Sequence, residues 1–164
     1  MTESDFYGVM RAMIETGFID FSELVSVIDE HVEPDHPQAN TFSAISMAEG
    51  ADGAVQAINE VWRTTFLPTN TVGYDLDSGF IFANYLERRM SLREAHSRFR
   101  ILVDSHAIVG IEPEDFIHGL NAFSKQSRFY TRLVREAEIS LVKWRECEKF
   151  VDELGGATQR VTEA

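Results

Sequence analysis

The chain has 164 residues, of which 44% are hydrophobic and 26% charged, values that suit a globular protein able to bury a core without disulfides or metals. Its formal net charge of −12 disfavours general nucleic-acid binding. The chain contains one cysteine, so an intrachain disulfide is excluded. No basic segment followed by an apolar run opens the sequence, and no apolar stretch approaches the roughly 18 residues of a membrane helix. We therefore expect a cytoplasmic protein that makes no membrane contact.

The charges are distributed unevenly along the chain. Residues 1–60 contain twelve acidic residues and one basic residue, whereas residues 87–149 contain ten acidic and twelve basic residues. The N-terminal third therefore repels anions, and only the middle and C-terminal part of the chain is suited to meeting an anionic surface.

Helix signals begin near the N-terminus. The first helix is predicted to begin at the N-cap Ser4 and to run to about Thr16, with Gly17 as its stop. A second helix follows, with Asp20 as its N-cap and Glu23 completing a capping box. The apolar residues that define the inward faces of these two helices are Phe6, Met10, Met13, Phe21, Leu24, Val25 and Ile28.

Two more helices are predicted before a long non-helical segment. Thr41 is expected to cap a short third helix, and Gly50 and Gly53 interrupt the chain before a fourth helix restarts at Asp52. The residues predicted to face inward are Phe42, Ile45, Met47, Val55, Ile58, Val61, Trp62 and Phe66. The segment 67–79 is the longest stretch without a helical pattern.

The middle of the chain carries the clearest helix start. A helix is predicted over Phe80 to Met90, and Ser91 with Glu94 has the residue types of a capping box. Either a new helix begins at Ser91, or one helix continues past it with a bend. Gly110 is the predicted end of this segment. The expected inward residues are Phe82, Tyr85, Leu86, Leu92, Ala95, Phe99, Leu102, Val103 and His106.

A further helix is predicted to open at Pro113, and the longest helix closes the sequence. The last helix is expected to run from Arg128 to Leu154 and to be ended by the pair Gly155–Gly156. Its apolar stripe consists of Tyr130, Leu133, Val134, Ala137, Leu141, Trp144 and Val151. This phase places Glu148 near the buried centre line and Cys147, as a buried thiol, at the edge.

No strand pattern competes with these helices. The sequence therefore predicts an all-α, single-domain helical bundle of about seven helices, several of them short, with a long C-terminal helix. Residues 1–154 form the predicted helical domain. Residues 155–164 have nothing to bury, and we expect them to be a disordered tail.

Two surfaces are predicted to bind a partner protein. At about 100° per residue, Arg93, Ser97, Arg100 and Asp104 share the outer face of their helix, and Ile101 lies opposite its apolar stripe. A solvated face with local or intramolecular ion pairs is the competing interpretation. The second surface, on the outer side of the last helix, consists of Arg132, Ile139 and Phe150.

A second hypothesis is a helical domain that binds a small ligand or a metal, and acts as an enzyme if the pocket is catalytic. Its pocket lies between helices, with segment 67–79 as the rim and Tyr85, His96 and His106 pointing inward. A lesser hypothesis is an acidic mimic of nucleic acid, which would use the carboxylates of Asp29, Glu30, Glu33 and Asp35.

The leading hypothesis is a non-catalytic protein-interaction module, such as a small regulatory or accessory subunit. The sequence has no glycine-rich phosphate loop, no nucleophile elbow and no His-Glu-x-x-His zinc motif. We predict no cofactor. The expected partner is another protein or a second copy of the chain, and nucleic acid is not expected because aromatic residues do not interleave with the arginines on an exposed face.

Overall fold

The computed structural model describes residues 1–31, 39–65, 76–104 and 128–159. Within these ranges the backbone forms seven helices and no strand, which confirms the predicted all-α fold with a long C-terminal helix. No helix in the same ranges is both long and apolar enough to cross a membrane. The helices are α1 (Glu3–Glu15), α2 (Phe21–His31), α3 (Ala39–Ser46), α4 (Gly50–Thr65), α5 (Leu76–Leu86), α6 (Leu92–Asp104) and α7 (Arg128–Gln159).

The chain divides into two compact units. Unit 1 consists of Met1–Thr69 together with Lys143–Ala164, and unit 2 consists of Asn70–Val142. The boundary between Val142 and Lys143 falls inside α7, so both units use part of that helix. That residues 1–154 behave as one domain stays a prediction.

Helix α1 is fixed at both ends by hydrogen bonds from its own sequence. The Thr2 hydroxyl accepts a hydrogen bond from the Asp5 backbone N–H at 3.1 Å, so Thr2 is the N-cap and the prediction of Ser4 is wrong. Gly17 has a φ of 65° and ends the helix as predicted, because a left-handed residue lets the Phe18 N–H turn back to the Met13 carbonyl at 2.8 Å.

Aromatic side chains build the core of unit 1. Helix α1 packs on α4, α3 packs on α4, and α2 lies beside both α3 and α4. The buried Phe6 ring lies 6.1 Å from Phe42 of α3 and 4.9 Å from Phe150 of α7. Phe18 meets Trp144 edge to face at 5.4 Å. The C-terminal part of α7 therefore completes this core, and each such ring pair contributes about 0.5–1.5 kcal/mol beyond its buried area.

Three predictions for α3 and α4 are corrected. Helix α3 already begins at Ala39, so Thr41 lies inside it. Met47 is 80% exposed rather than inward, because it follows the last residue of the helix. Helix α4 begins at Gly50, whose φ is 82°, and Gly53 lies within the helix.

Unit 2 begins with α5, which starts earlier than predicted. Residues 76–79 are helical, so the predicted non-helical segment 67–79 is too long at its C-terminal end. The helix ends at Leu86 rather than Met90. Arg88 has a φ of 62°, and the Arg89 N–H donates to the Asn84 carbonyl at 2.9 Å, the same closing turn that Gly17 makes after α1.

Helices α5 and α7 approach each other closely at Gly79. A Cβ atom added to this buried glycine would lie 2.1 Å from the Ser140 Oγ and 2.5 Å from the Glu136 carbonyl oxygen. Ser140 is 1% exposed and its hydroxyl donates to the Leu76 carbonyl at 3.4 Å. A glycine on one helix and a small residue on the other are what allow this contact.

Helix α6 is a separate helix and not a bent continuation of α5. The Ser91 hydroxyl accepts a hydrogen bond from the Glu94 N–H at 3.2 Å, which confirms Ser91 as the N-cap. Ala95 and Phe99 are buried, as predicted. Leu86 and Leu92 were predicted to face inward, but they are exposed because they flank the turn between the two helices. The predicted segments around Gly110 and Pro113 lie outside the described residues.

The buried stripe of α7 is rotated from its predicted phase. It passes through Leu133, Ala137, Ser140 and Cys147, so Cys147 is buried as predicted and Glu148 is exposed rather than buried. The helix runs through Gly155–Gly156 to Gln159 instead of ending at Leu154. Glycine costs about 1 kcal/mol in a helix interior but ends a helix only where it turns left-handed. Residues 155–159 are therefore helical, and the rest of the predicted disordered tail 155–164 lies outside the described residues.

Candidate interaction surfaces

The outer side of α6 presents four exposed side chains that we call the α6 face. They are Arg93, Ser97, Arg100 and Ile101, and the Ile101 side chain is 64% exposed. At about 100° per residue they cover an arc of about 100° on the side opposite Ala95 and Phe99. The exposure predicted for this side of the helix is confirmed.

The α6 face is held in place by its own helix. The Ser91 cap fixes where the helix begins, and α6 packs on α5. Ala95 and Phe99 are fully buried and so fix the rotation of α6 about its axis. A backbone anchored at its start and along one side keeps the exposed side chains at constant relative positions, which lowers the cost of ordering them on binding.

Positive charge and exposed apolar area coincide around the α6 face. Residues 86–101 contain five arginines and two glutamates, a formal charge of +3 in a chain of −12. Glu94 forms an ion pair with Arg98 at 3.4 Å, and Glu87 forms one with Arg89 at 3.0 Å. Three of the six large hydrophobic side chains exposed in the described ranges belong to this segment, namely Leu86, Leu92 and Ile101.

Unit 2 is nearly neutral because of the positive charge of residues 86–101. Unit 1 contains 17 acidic and 6 basic residues, a net charge of −11, whereas unit 2 contains ten acidic and nine basic residues, a net charge of −1. The α6 face is therefore part of the unit that repels an anionic partner least.

The second predicted surface is not on the outermost side of α7. Arg132, Ile139 and Phe150 are all half-buried, and Phe150 packs against Phe6, so its predicted outer position is wrong. The rotation of the buried stripe toward Ser140 moved these residues to the flank. A partner-binding role for the three residues stays a prediction. The exposed positions along this part of α7, which the apolar pattern did not identify, are Thr131, Arg135, Glu138, Val142, Arg145, Glu148 and Lys149.

The predicted pocket residues are only partly brought together. Tyr85 is half-buried with its ring 5.8 Å from Phe82, which in turn meets Tyr130 edge to face at 5.6 Å. This cluster gives Tyr85 a packing role inside unit 2. His96 is half-buried on α6, and His106 lies outside the described residues. Across the described ranges no group of three or more His, Cys, Asp or Glu residues is placed to hold a metal ion.

Cys147 is a buried thiol. Its Sγ lies 3.5 Å from the Sδ of Met1, and its side chain is almost fully covered. Burial first, and the negative charge of Glu146 second, raise the pKa of Cys147 to about 12. The thiol therefore stays neutral at physiological pH, which is the state of a packing residue and not of a nucleophile.

Comparison with known proteins identifies no relative. No family model, curated protein or solved structure matches this chain.

Proposed function

We propose that this chain is a non-catalytic protein-interaction module and that the α6 face is its contact surface. The observation that carries the proposal is the high exposure of Ile101 beside Arg93, Ser97 and Arg100 on a capped helix. A single exposed apolar side chain is ordinary, but an apolar side chain grouped with arginines has the composition of a protein interface.

The turn that precedes α6 exposes two more apolar side chains. Leu86 and Leu92 are exposed at the junction of α5 and α6, in the same basic segment as Ile101. Arginine and apolar residues are enriched in interfaces because both gain when water is excluded around them.

The size of the surface indicates weak or transient binding. Full burial of an isoleucine side chain contributes about 1.5–3 kcal/mol, so covering the exposed 64% of Ile101 contributes about 1–2 kcal/mol. Exposed arginine pairs add at most about 1 kcal/mol each. These contributions suit a regulatory or accessory contact better than a permanent assembly.

The proposal is tested by capture with matched variants. Full-length wild type, Ile101→Asp and Val142→Asp are immobilised, exposed to extract of the native cells, and the retained proteins are identified by mass spectrometry. Val142 is the control because it is a 50% exposed apolar residue on a different helix, α7. Both substitutions are at exposed positions, and circular dichroism verifies that both variants fold.

We expect one protein to be retained by wild type and by Val142→Asp but lost with Ile101→Asp. If the partner is a second copy of the chain, light scattering of the purified protein detects the association. That association must be lost with Ile101→Asp and kept with Val142→Asp. Retention that is equal for all three proteins, or a strictly monomeric chain that retains nothing, contradicts the proposal.

A further inference from the structure

We propose that Ser91 is a phosphorylation site for a protein kinase that selects serines preceded by arginine and followed by an apolar residue. The sequence around it is Arg88-Arg89-Met90-Ser91-Leu92, in which an arginine lies three residues before the hydroxyl and a leucine directly after it. A kinase whose peptide groove is lined with carboxylates selects such a segment through charge complementarity. The inference is independent of the proposed function, since it concerns a covalent change to this chain and not a contact.

The acceptor hydroxyl and its recognition residues are at the surface. Ser91 and Arg88 are exposed, and Leu92, at the start of α6, is 36% exposed. Arg89 forms an ion pair with Glu87 at 3.0 Å, so we assign the recognition to Arg88. The two groups that such a groove reads, a cation before the serine and an apolar side chain after it, are therefore accessible in the folded chain.

The segment is able to enter a kinase groove with little disruption of the core. A groove holds its peptide extended, so the start of α6 has to open locally. All four residues of the first turn, 91–94, are exposed, and Ala95 is the first buried one. Opening this turn breaks the Ser91 cap at 3.2 Å and the hydrogen bond from the Ala95 N–H to the Ser91 carbonyl at 2.9 Å. Over residues 86–94 it disturbs one buried side chain, that of Met90.

Other hydroxyl groups fit this recognition less well. No other serine of the chain has an arginine three residues before it. Ser97 is exposed on the same helix, but Glu94 occupies the equivalent position, and a carboxylate-lined groove repels it. Thr131 is exposed and lies three residues after Arg128, yet it is followed by the half-buried Arg132 instead of an apolar residue. Ser97 and Thr131 are therefore internal controls for the selectivity of the kinase.

The reaction is a phosphoryl transfer from a magnesium-bound nucleoside triphosphate. The Ser91 Oγ bonds to the γ-phosphorus while the bond from that phosphorus to the oxygen bridging the β- and γ-phosphates breaks. The hydroxyl proton passes to a carboxylate of the kinase, and the nucleoside diphosphate leaves. The kinase supplies the base and the metal site, so this chain contributes the acceptor and its flanking recognition residues.

Phosphate on Ser91 changes the charge of this region and steadies the start of α6. It adds about −1.5 to −2 charges, so the formal charge of +3 on residues 86–101 falls to about +1. An anionic group at the N-cap interacts favourably with the helix dipole and accepts hydrogen bonds from the N–H groups of the first turn. The acidic residue of this turn, Glu94, is paired with Arg98 at 3.4 Å. We therefore expect residues 92–94 to open less often after phosphorylation.

The test is a kinase assay on the purified full chain. The kinase is the catalytic subunit of cyclic-AMP-dependent protein kinase with magnesium ATP, and mass spectrometry of proteolytic fragments locates each phosphate. The proteins compared are wild type, Ser91→Ala, Arg88→Gln and the matched controls Ser97→Ala and Arg135→Gln, both of which change exposed residues. Circular dichroism verifies that each variant folds.

We expect wild type to gain one phosphate, on Ser91. Arg88→Gln lowers the initial rate at least about tenfold, because it removes one charge-assisted contact with the kinase. Ser97→Ala and Arg135→Gln are modified at the wild-type rate. In the phosphorylated chain, amide hydrogen exchange at residues 92–94 slows by about two- to fivefold, the factor that corresponds to a favourable charge at a helix terminus.

The position of the phosphate in wild type is the deciding observation, because Ser91→Ala also removes a helix cap. A folded wild-type chain that gains no phosphate overturns the inference, and so does phosphate placed on Ser97 or Thr131 in preference to Ser91. Modification of Arg88→Gln at the wild-type rate refutes recognition by that arginine. Faster exchange at residues 92–94 after phosphorylation refutes the expected effect on α6. None of these results alters capture through Ile101, so the proposed function stands or fails separately.

Discussion

Replacing Gly79 with alanine tests the closest helix contact in unit 2. The added Cβ would lie 2.5 Å from the Glu136 carbonyl oxygen and 2.9 Å from its carbonyl carbon, where ordinary contacts need about 3.5 Å. The Ser140 hydroxyl, at 2.1 Å, is able to rotate away, but the α7 backbone is not. The helices must therefore separate locally by roughly 1 Å.

The cost of this separation exceeds the gain from alanine's higher helix propensity. Overpacking typically costs about 1–3 kcal/mol and sometimes more, whereas alanine gains about 1 kcal/mol over glycine in a helix interior. Because backbone has to move, we expect the upper part of that range, and a net loss of about 2 kcal/mol in the free energy of unfolding. For a chain of this size, that corresponds to a fall in Tm of roughly 4–8 °C.

Urea unfolding followed by circular dichroism measures the loss, with Gly50→Ala as the control. Gly50 has a φ of 82° but nothing within 4 Å of an added Cβ, so its substitution reports backbone strain alone, about 1 kcal/mol. If Gly79→Ala leaves the free energy of unfolding unchanged, or raises it as propensity alone requires, the close approach of α5 and α7 is refuted.

Three further predictions concern helix ends, the packing of the Phe150 ring and the buried thiol. Arg88→Gly raises the free energy of unfolding by about 1 kcal/mol because Arg88 is left-handed, and Gly17→Ala lowers it by a similar amount; urea unfolding that moves both variants in one direction contradicts this. Phe150→Ala lowers the free energy of unfolding by about 3–5 kcal/mol, because the Phe150 ring packs against Phe6. A loss under about 1 kcal/mol in urea unfolding would instead place the ring in solvent. Because its pKa is raised, the neutral Cys147 thiol contributes its full stability below pH 9 and progressively less as the pH rises toward 12. Above pH 9 we expect the free energy of unfolding of wild type to fall by about 1.4 kcal/mol per pH unit relative to Cys147→Ala. Parallel pH profiles of the two proteins exclude the burial.

The helices that the sequence identified best are those with unambiguous local chemistry. Gly17 ended α1 because glycine adopts the left-handed conformation at little cost. Ser91 capped α6 because a hydroxyl three residues before a free backbone N–H has one favourable partner. The α6 face followed from helical periodicity alone, since Ala95 and Phe99 left no doubt about which side is buried.

The errors came from choices that local chemistry leaves degenerate. Thr2 and Ser4 are both good N-caps, and only the packing of α1 selects between them. The stripe of α7 was judged by apolar residues, yet small Ser140 lies at its centre because Gly79 brings α5 close. Arg88 occupies a position that glycine usually takes, and no residue type predicted it.

The divided composition of unit 1 has a consequence for how the protein is made. The Sγ of Cys147 and the Sδ of Met1 touch across 146 positions of sequence, and Lys143–Ala164 belongs to the same unit as Met1–Thr69. Closing so long a loop is slow, and during synthesis the closing segment emerges from the ribosome after unit 2. Unit 2 is continuous, so we expect it to become protease-resistant in a truncated chain that ends at residue 142, while Phe6 and Phe18 remain uncovered until Phe150 and Trp144 are added.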